Sequence, residues 1–304
     1  MDSEYLHSAD YFGDQRDFWW NRDFLELMVK RWQLSQASSL LDVGCGIGHW
    51  IRLLFPYLKA ESKVFGIDQE QEWVEQSQIK FAQEYPQIPL NRYQFLKGNV
   101  YDLPFKDNYF DVVTCQTLIM HLSDPLKGLN EMLRVTKPGG ILIFIEPENI
   151  FSAFNLNSLT TSYPVETVTK IFEFWWRYEK GKISLGEGNN SIGGLIPGLL
   201  SKLGLLNIKV YLSDKASPLF PPYNTEEQIT LINQDKDWYD NSSGPWNYKD
   251  FKKKYLASGA SEEEFNKHWN FMNALYKDYC KAVDNLSFCA GGGGLVYLIS
   301  GRKP

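Results

Sequence analysis

The chain of 304 residues predicts an α/β fold built on a parallel sheet. Two observations carry this. Between residues 40 and 146 short apolar strands alternate with helical segments, the pattern of strands joined by crossover helices. The first of those strands also runs into a glycine-rich turn that opens a helix.

The elements follow in order. Residues 17–33 (DFWWNRDFLELMVKRWQ) carry apolar side chains at 18, 20, 24, 25, 28, 29 and 32, a helical period. Ser38-Ser39 break it before Leu40-Leu41-Asp42-Val43, a short strand ending in glycines. A helix is expected over 47–58, a strand over Lys63–Asp68, and a helix over 70–84 with Trp73, Val74, Ile79 and Phe81. Phe110–Cys115 reads as a buried strand, 124–136 as a helix, Lys137-Pro138-Gly139-Gly140 as a turn, and Ile141–Ile145 as another strand. After Pro147 the alternation stops. Residues 150–185 are helical in composition, and glycines at 186, 188, 193 and 194 precede a helix over 195–203 and a strand over 206–213. Residues 215–285 are an insertion whose last helix opens with the capping box Ser261-x-x-Glu264. Gly291–Gly294 leads into a final strand, Leu295–Ser300.

Composition narrows the function. Lys and Arg number 31 against 37 Asp and Glu, a net charge of −6, where a nucleic-acid binder needs a basic face. The cysteines at 45, 115, 280 and 289 have neither disulfide-framework nor zinc-site spacing, so a reducing cytoplasm and no metal are expected. The first twenty residues lack a basic and an apolar region, and no apolar run reaches a membrane-spanning length. Neither a signal peptide nor a membrane contact is therefore expected. Aromatic residues reach 15%, with ten Trp, which suits a ring-lined pocket or a bulky core.

The informative stretch is Leu40-Leu41-Asp42-Val43-Gly44-Cys45-Gly46-Ile47-Gly48-His49. A dinucleotide fingerprint would place its third glycine where His49 stands. The spacing here is G-x-G-x-G, with Asp42 ahead of it, which favours a cationic, amino-acid-bearing nucleoside over a pyrophosphate. Asp68 ends the second strand, where a carboxylate can accept both hydroxyls of a ribose. Asn99 and Val100, in Gly98–Phe105, offer a polar side chain and then a backbone N–H to an adenine edge. Phe110-Asp111-Val112-Val113 and Leu133–Gly140 complete the series.

With these motifs in this order, the sequence resembles the class I S-adenosylmethionine-dependent methyltransferases, in the group that includes ubiquinone-type and many small-molecule enzymes. The resemblance covers about residues 38–147 and the closing strand 295–302. It implies a Rossmann-like, mostly parallel seven-stranded sheet of order 3-2-1-4-5-7-6, the last strand antiparallel, with helical cap insertions. Residues 1–304 would form a single domain: an N-terminal helical cap (1–37), a cofactor-binding half (38–147), and acceptor-side insertions (148–204 and 215–290). The resemblance further implies that Gly44, Cys45, Gly46 and Gly48 line the methionine part and that Asp68, with Gln69, binds the ribose. Asn99 would hold the adenine amino group and the Val100 N–H a ring nitrogen, with Gln116 and His121 close to the cofactor. Asn99 departs from the family's usual Asp, although its carbonyl can accept the same bond.

The expected chemistry is in-line displacement of the sulfonium methyl onto a small-molecule acceptor, an oxygen or a nitrogen of amine-bearing type, in a closed pocket. S-adenosylhomocysteine would be the other product. His121 is either a general base or a packing histidine. Glu146 either faces the acceptor or satisfies backbone donors. Tyr11, Arg16 and Trp19 belong either to a cap over the cofactor or to an ordinary helix face. Trp175 and Trp176, with Tyr178, either build an acceptor cage or fill a helical core. The competing reading is a non-catalytic S-adenosylmethionine-binding sensor or partner protein. The state expected is a monomer or homodimer.

Overall fold

The computed structural model describes residues 11, 13, 16, 18–154 and 156–304. They divide into a sheet unit (21–148, 188–213 and 296–304) and a helical unit (149–187, 214–295 and the described part of 1–20).

The sheet unit holds β1 (Ser39–Val43), β2 (Lys63–Asp68), β3 (Tyr93–Lys97), β4 (Phe110–Gln116), β5 (Thr136–Glu148), β6 (Leu206–Leu212) and β7 (Leu295–Arg302), ordered 3-2-1-4-5-7-6. β1 pairs parallel with β2 on one side and β4 on the other, so that Leu41 lies between Phe65 and Val113. β7 runs antiparallel to β6. All five residues of β1 are buried, because both faces of the strand are covered. β3 escaped the sequence reading; only its alternating Tyr93 and Phe95 are buried, and so short an amphipathic strand reads weakly.

Helices α1 (Arg22–Trp32), α2 (His49–Leu54), α3 (Gln71–Glu84), α4 (Pro125–Val135) and α6 (Ile196–Lys202) flank these strands in sequence. α1 starts later than its apolar period suggested, and α2 gives way to a 3-10 turn at Phe55–Tyr57. On α4 the Asp124 side chain accepts from the Lys127 N–H, Pro125 fills the first turn, and Leu129, Met132 and Val135 are buried. The turn expected at Lys137–Gly140 lies within β5. Pairing with β4 jumps from Phe110–Thr136 to Val112–Ile141, so these residues bulge out. Gly139 and Gly140 meanwhile exchange backbone hydrogen bonds with Lys303.

The helical unit contains α5 (Val165–Ser184), α7 (Glu226–Asp240), α8 (Tyr248–Ala257) and α9 (Glu262–Asp284). The helical run expected from 150 is a 3-10 segment, Asn149–Phe154, and then α5, which begins only after Pro164. Proline disfavours helix in the residue before it. The capping box at Ser261 and Glu264 is present, and α7 has another at Thr225 and Gln228. The core is aromatic: Phe174, Tyr178, Phe251, Tyr255 and Phe265, with Met272. Phe174 stacks on Phe251 at 4.3 Å. Gly181 lets α5 meet α8 backbone to backbone, since a Cβ there would lie 1.5 Å from the Lys254 carbonyl oxygen.

Candidate active site

Strand order reverses at β1. The chain moves from β1 outward to β2 and β3, then returns to place β4 on the other side of β1. In open α/β sheets, ligands bind in the crevice at the carboxyl ends of the strands at such a point. The loops that follow β1, β2 and β4 carry the motif residues.

The turn after β1 is drawn across β2. Gly44 and Cys45 both donate to the Ile67 carbonyl, at 2.7 and 2.9 Å. Gly44, Gly46 and Gly48 have φ of 70°, 51° and 78°, where a side chain is strained. A Cβ on Gly44 would lie 2.7 Å from Leu118 Cδ1, so the loop after β4 rests directly on this turn. Ser77 of α3 donates from Oγ to the Gly46 carbonyl at 2.6 Å and pins the turn from below. Sequence reading missed Ser77. Its signal is a small hydroxyl on the buried face of α3, between Val74 and Phe81.

Asp68 ends β2 with its side chain buried. The Gly46 N–H donates to Oδ2 at 2.8 Å and the Glu70 N–H to Oδ1 at 3.1 Å. Burial raises its carboxyl above the usual range, against the pull of those backbone donors. The Gln69 N–H also bears on this carboxylate, so backbone donors from both loops fix its orientation at the end of β2. Gln69, the next residue, is exposed.

Cys45 takes part in the turn through its backbone. Its thiol is buried against Ser77 Oγ (3.9 Å) and the Gly46 carbonyl (3.7 Å), and burial pushes its pKa up. Its side chain fills core, so the backbone alone belongs to the turn. Asn99 Oδ1 accepts from the Tyr101 N–H at 2.9 Å, closing a local turn beside buried Val100. Gln116 ends β4, and its buried Oε1 has no hydrogen-bond partner among the described residues. A buried acceptor of this kind is met by ordered water or by a ligand donor. His121 closes the 3-10 turn Ile119–His121 with its side chain exposed. Glu146 is fully buried, and its carboxylate accepts from the backbone N–H groups of Leu118, Ile119 and Met120.

The remaining candidates belong to the helical unit. Tyr11 packs on Trp238 at 5.2 Å, and the Arg16 guanidinium lies 4.8 Å from the Trp19 ring. Trp175 is half-buried against Phe251, whereas Trp176 is exposed and stacks on Phe172. Tyr178 is buried and donates to Asp250.

Comparison with known proteins agrees with this geometry. Residues 41–144 match the family model for a methyltransferase domain. An uncharacterized methyltransferase of Schizosaccharomyces pombe is 38% identical over 109 residues, 35% of this chain and 39% of that protein. A demethylmenaquinone methyltransferase of Lysinibacillus sphaericus is 30% identical over 159 residues, 52% of this chain and 58% of that protein. The chain thus spans about half the length of the curated relatives it matches. The crystal structure of the YcgJ protein from Bacillus subtilis superposes with a TM-score of 0.50 at 21% identity, covering 93% of this chain and 99% of that one. That likeness concerns the fold. Residues 41–144 thus match a methyltransferase domain, and they carry the glycine turn and the first five strands of the seven-stranded sheet described above.

Proposed function

We propose that the protein transfers a methyl group from S-adenosylmethionine to a small organic acceptor through an oxygen or nitrogen atom. The observation that carries this reading is the bond from the Gly46 N–H to Asp68, which makes the glycine turn and the ribose carboxylate one rigid piece. The residues fit the cofactor. Asp68 presents a buried carboxylate at a strand end, Gln116 Oε1 is a buried acceptor, and the turn holds Gly44 at a positive φ under Leu118.

When bound, the cofactor supplies an activated sulfonium methyl. Asp68 accepts the ribose hydroxyls, with Gln69 beside it. Asn99 and the Val100 N–H read the adenine edge, and Gln116 accepts from the ammonium of the methionine part. Gly44, Gly46 and Gly48 let the backbone lie close to that part. His121 takes the acceptor's proton when that acceptor is a hydroxyl or an ammonium. Four free cysteines suit a reducing cytoplasm.

Calorimetric titration with S-adenosylmethionine, S-adenosylhomocysteine and NAD tests the reading. Binding of the first two is expected, and binding of NAD alone would overturn it. Release of S-adenosylhomocysteine against a panel of amines and phenols then finds the acceptor; tight binding without transfer to any would favour a sensor. On the acceptor found, His121→Ala should lower kcat by about 10²–10⁴ and change the shape of the pH–rate profile. A variant with wild-type kcat would take His121 off the catalytic list.

A further inference from the structure

Glu146 stands near the end of β5 with 0% of its surface exposed. Oε1 accepts from the Leu118 N–H at 2.8 Å and the Ile119 N–H at 2.7 Å, and Oε2 from the Met120 N–H at 3.3 Å. Three successive backbone donors therefore converge on one carboxylate. A buried carboxylate needs such donors to remain ionised. The same turn is held from another side. The Asn189 N–H donates to the Met120 carbonyl at 2.9 Å, and a Cβ on Gly188 would lie 2.2 Å from that oxygen. Leu118 is the residue that rests against Gly44, and the turn runs from Gln116 to His121.

We propose that Glu146 is a positioning residue: its carboxylate anchors the turn 117–121 so that Leu118 seats on the glycine turn and Gln116 and His121 are held for the methyl donor. This rests on the methyltransferase reading above. Burial pushes the Glu146 carboxyl up to about 7, so the anchor is charged only toward the alkaline side of neutrality. One titratable side chain meets it from a neighbouring strand, and a second acts on that one. The Cys115 thiol of β4 lies 3.8 Å away and is pushed up by burial, and Asp42 of β1 acts on that same thiol. His121 is carried by the turn itself.

The test uses the full chain, with S-adenosylhomocysteine as the probe. Glu146→Gln keeps the size of the side chain but turns an NH₂ group toward the N–H donors. At pH 8 the folded variant should bind the probe at least tenfold more weakly than the wild type. Wild-type affinity should fall as the pH drops through about 7, and that step should be absent from the variant. A folded variant with wild-type affinity would overturn the proposal. Should the variant not fold, the wild-type pH series decides. Amide resonances of Leu118 and Ile119 should move through the same midpoint as the affinity, and an affinity flat from pH 5.5 to 8.5 would overturn the proposal alone. A wild type that binds no S-adenosylhomocysteine at any pH would instead sink the methyltransferase reading, and this proposal with it.

Discussion

The two units bury different things. The sheet unit packs aliphatic side chains (Leu41, Val43, Val113, Leu142) around its central strands and rings such as Phe65, Phe81 and Phe110 toward its β2–β3 side, and it buries Asp68, Gln116 and Glu146 at strand ends. The helical unit packs rings, and its buried charges pair between helices and within them: Lys254 with Asp250 at 2.6 Å, and Asp250 with Tyr178. Lys254, Asp250 and Tyr178 thus meet one another. In the sheet unit several buried polar groups are aimed at backbone loops, and Gln116 Oε1 has no hydrogen-bond partner among the described residues. The contrast separates polar groups that specify packing from polar groups that shape a site.

Substitution at Gly181 should give the largest effect and tests whether the helical unit depends on one close contact. Gly181→Ala forces a methyl group into the Lys254 carbonyl and should cost about 3 kcal/mol, at the upper end of overpacking effects. Chemical denaturation measures it, and a loss below about 1 kcal/mol would mean that α5 and α8 can move apart without penalty.

Acidity should act on the two units in opposite senses. Glu146 has a folded pKa raised from 4.5 to about 7, so its contribution is fully present below pH 4.5 and is lost as pH rises to 7. That shift corresponds to roughly 3 kcal/mol. Lys182, buried beside Lys254, has its pKa lowered from 10.5 to about 8, so its contribution is present above 10.5 and is lost as pH falls to 8. Melting temperatures across these windows should therefore fall with rising pH in the first and rise in the second. Glu146→Gln should flatten the first window and Lys182→Met the second.

Asp68→Ala should weaken S-adenosylhomocysteine binding by about 2–3 kcal/mol, since hydrogen bonds to a charged acceptor are worth roughly 1.5–3 each. Calorimetry on the folded variant measures this, and unchanged affinity would show that the ribose is held elsewhere. Trp176→Ala should give the smallest effect. The ring is 41% exposed, so stability should fall by less than about 1 kcal/mol. A larger drop in melting temperature would place Trp176 among the packed rings of its unit.

Much of the sheet unit was legible because its signals are local. Leu40–Val43 had to be a strand covered on both faces, and glycines at 44, 46 and 48 had to serve a backbone of positive φ. Asp68 was readable as the polar residue that closes an apolar run. The Ser261 capping box was equally plain, because both its partners lie within one turn of helix. β3 was not, since a five-residue strand with two buried rings has too short a period to stand out.

What the sequence determined by itself was the set of backbone possibilities: where strands end, where only glycine suits, and which helices have a buried face. Tertiary structure decided where the side chains were spent. Cys45 sits inside the glycine motif, yet its thiol is used up against Ser77, thirty-two residues away. Glu146 lies in an apolar strand, and only the fold brings three N–H groups from residues 118–120 onto it. The physical reason is range. Propensity and periodicity act over a few residues, whereas a buried polar atom must be satisfied by whatever the folded chain brings within about 3 Å.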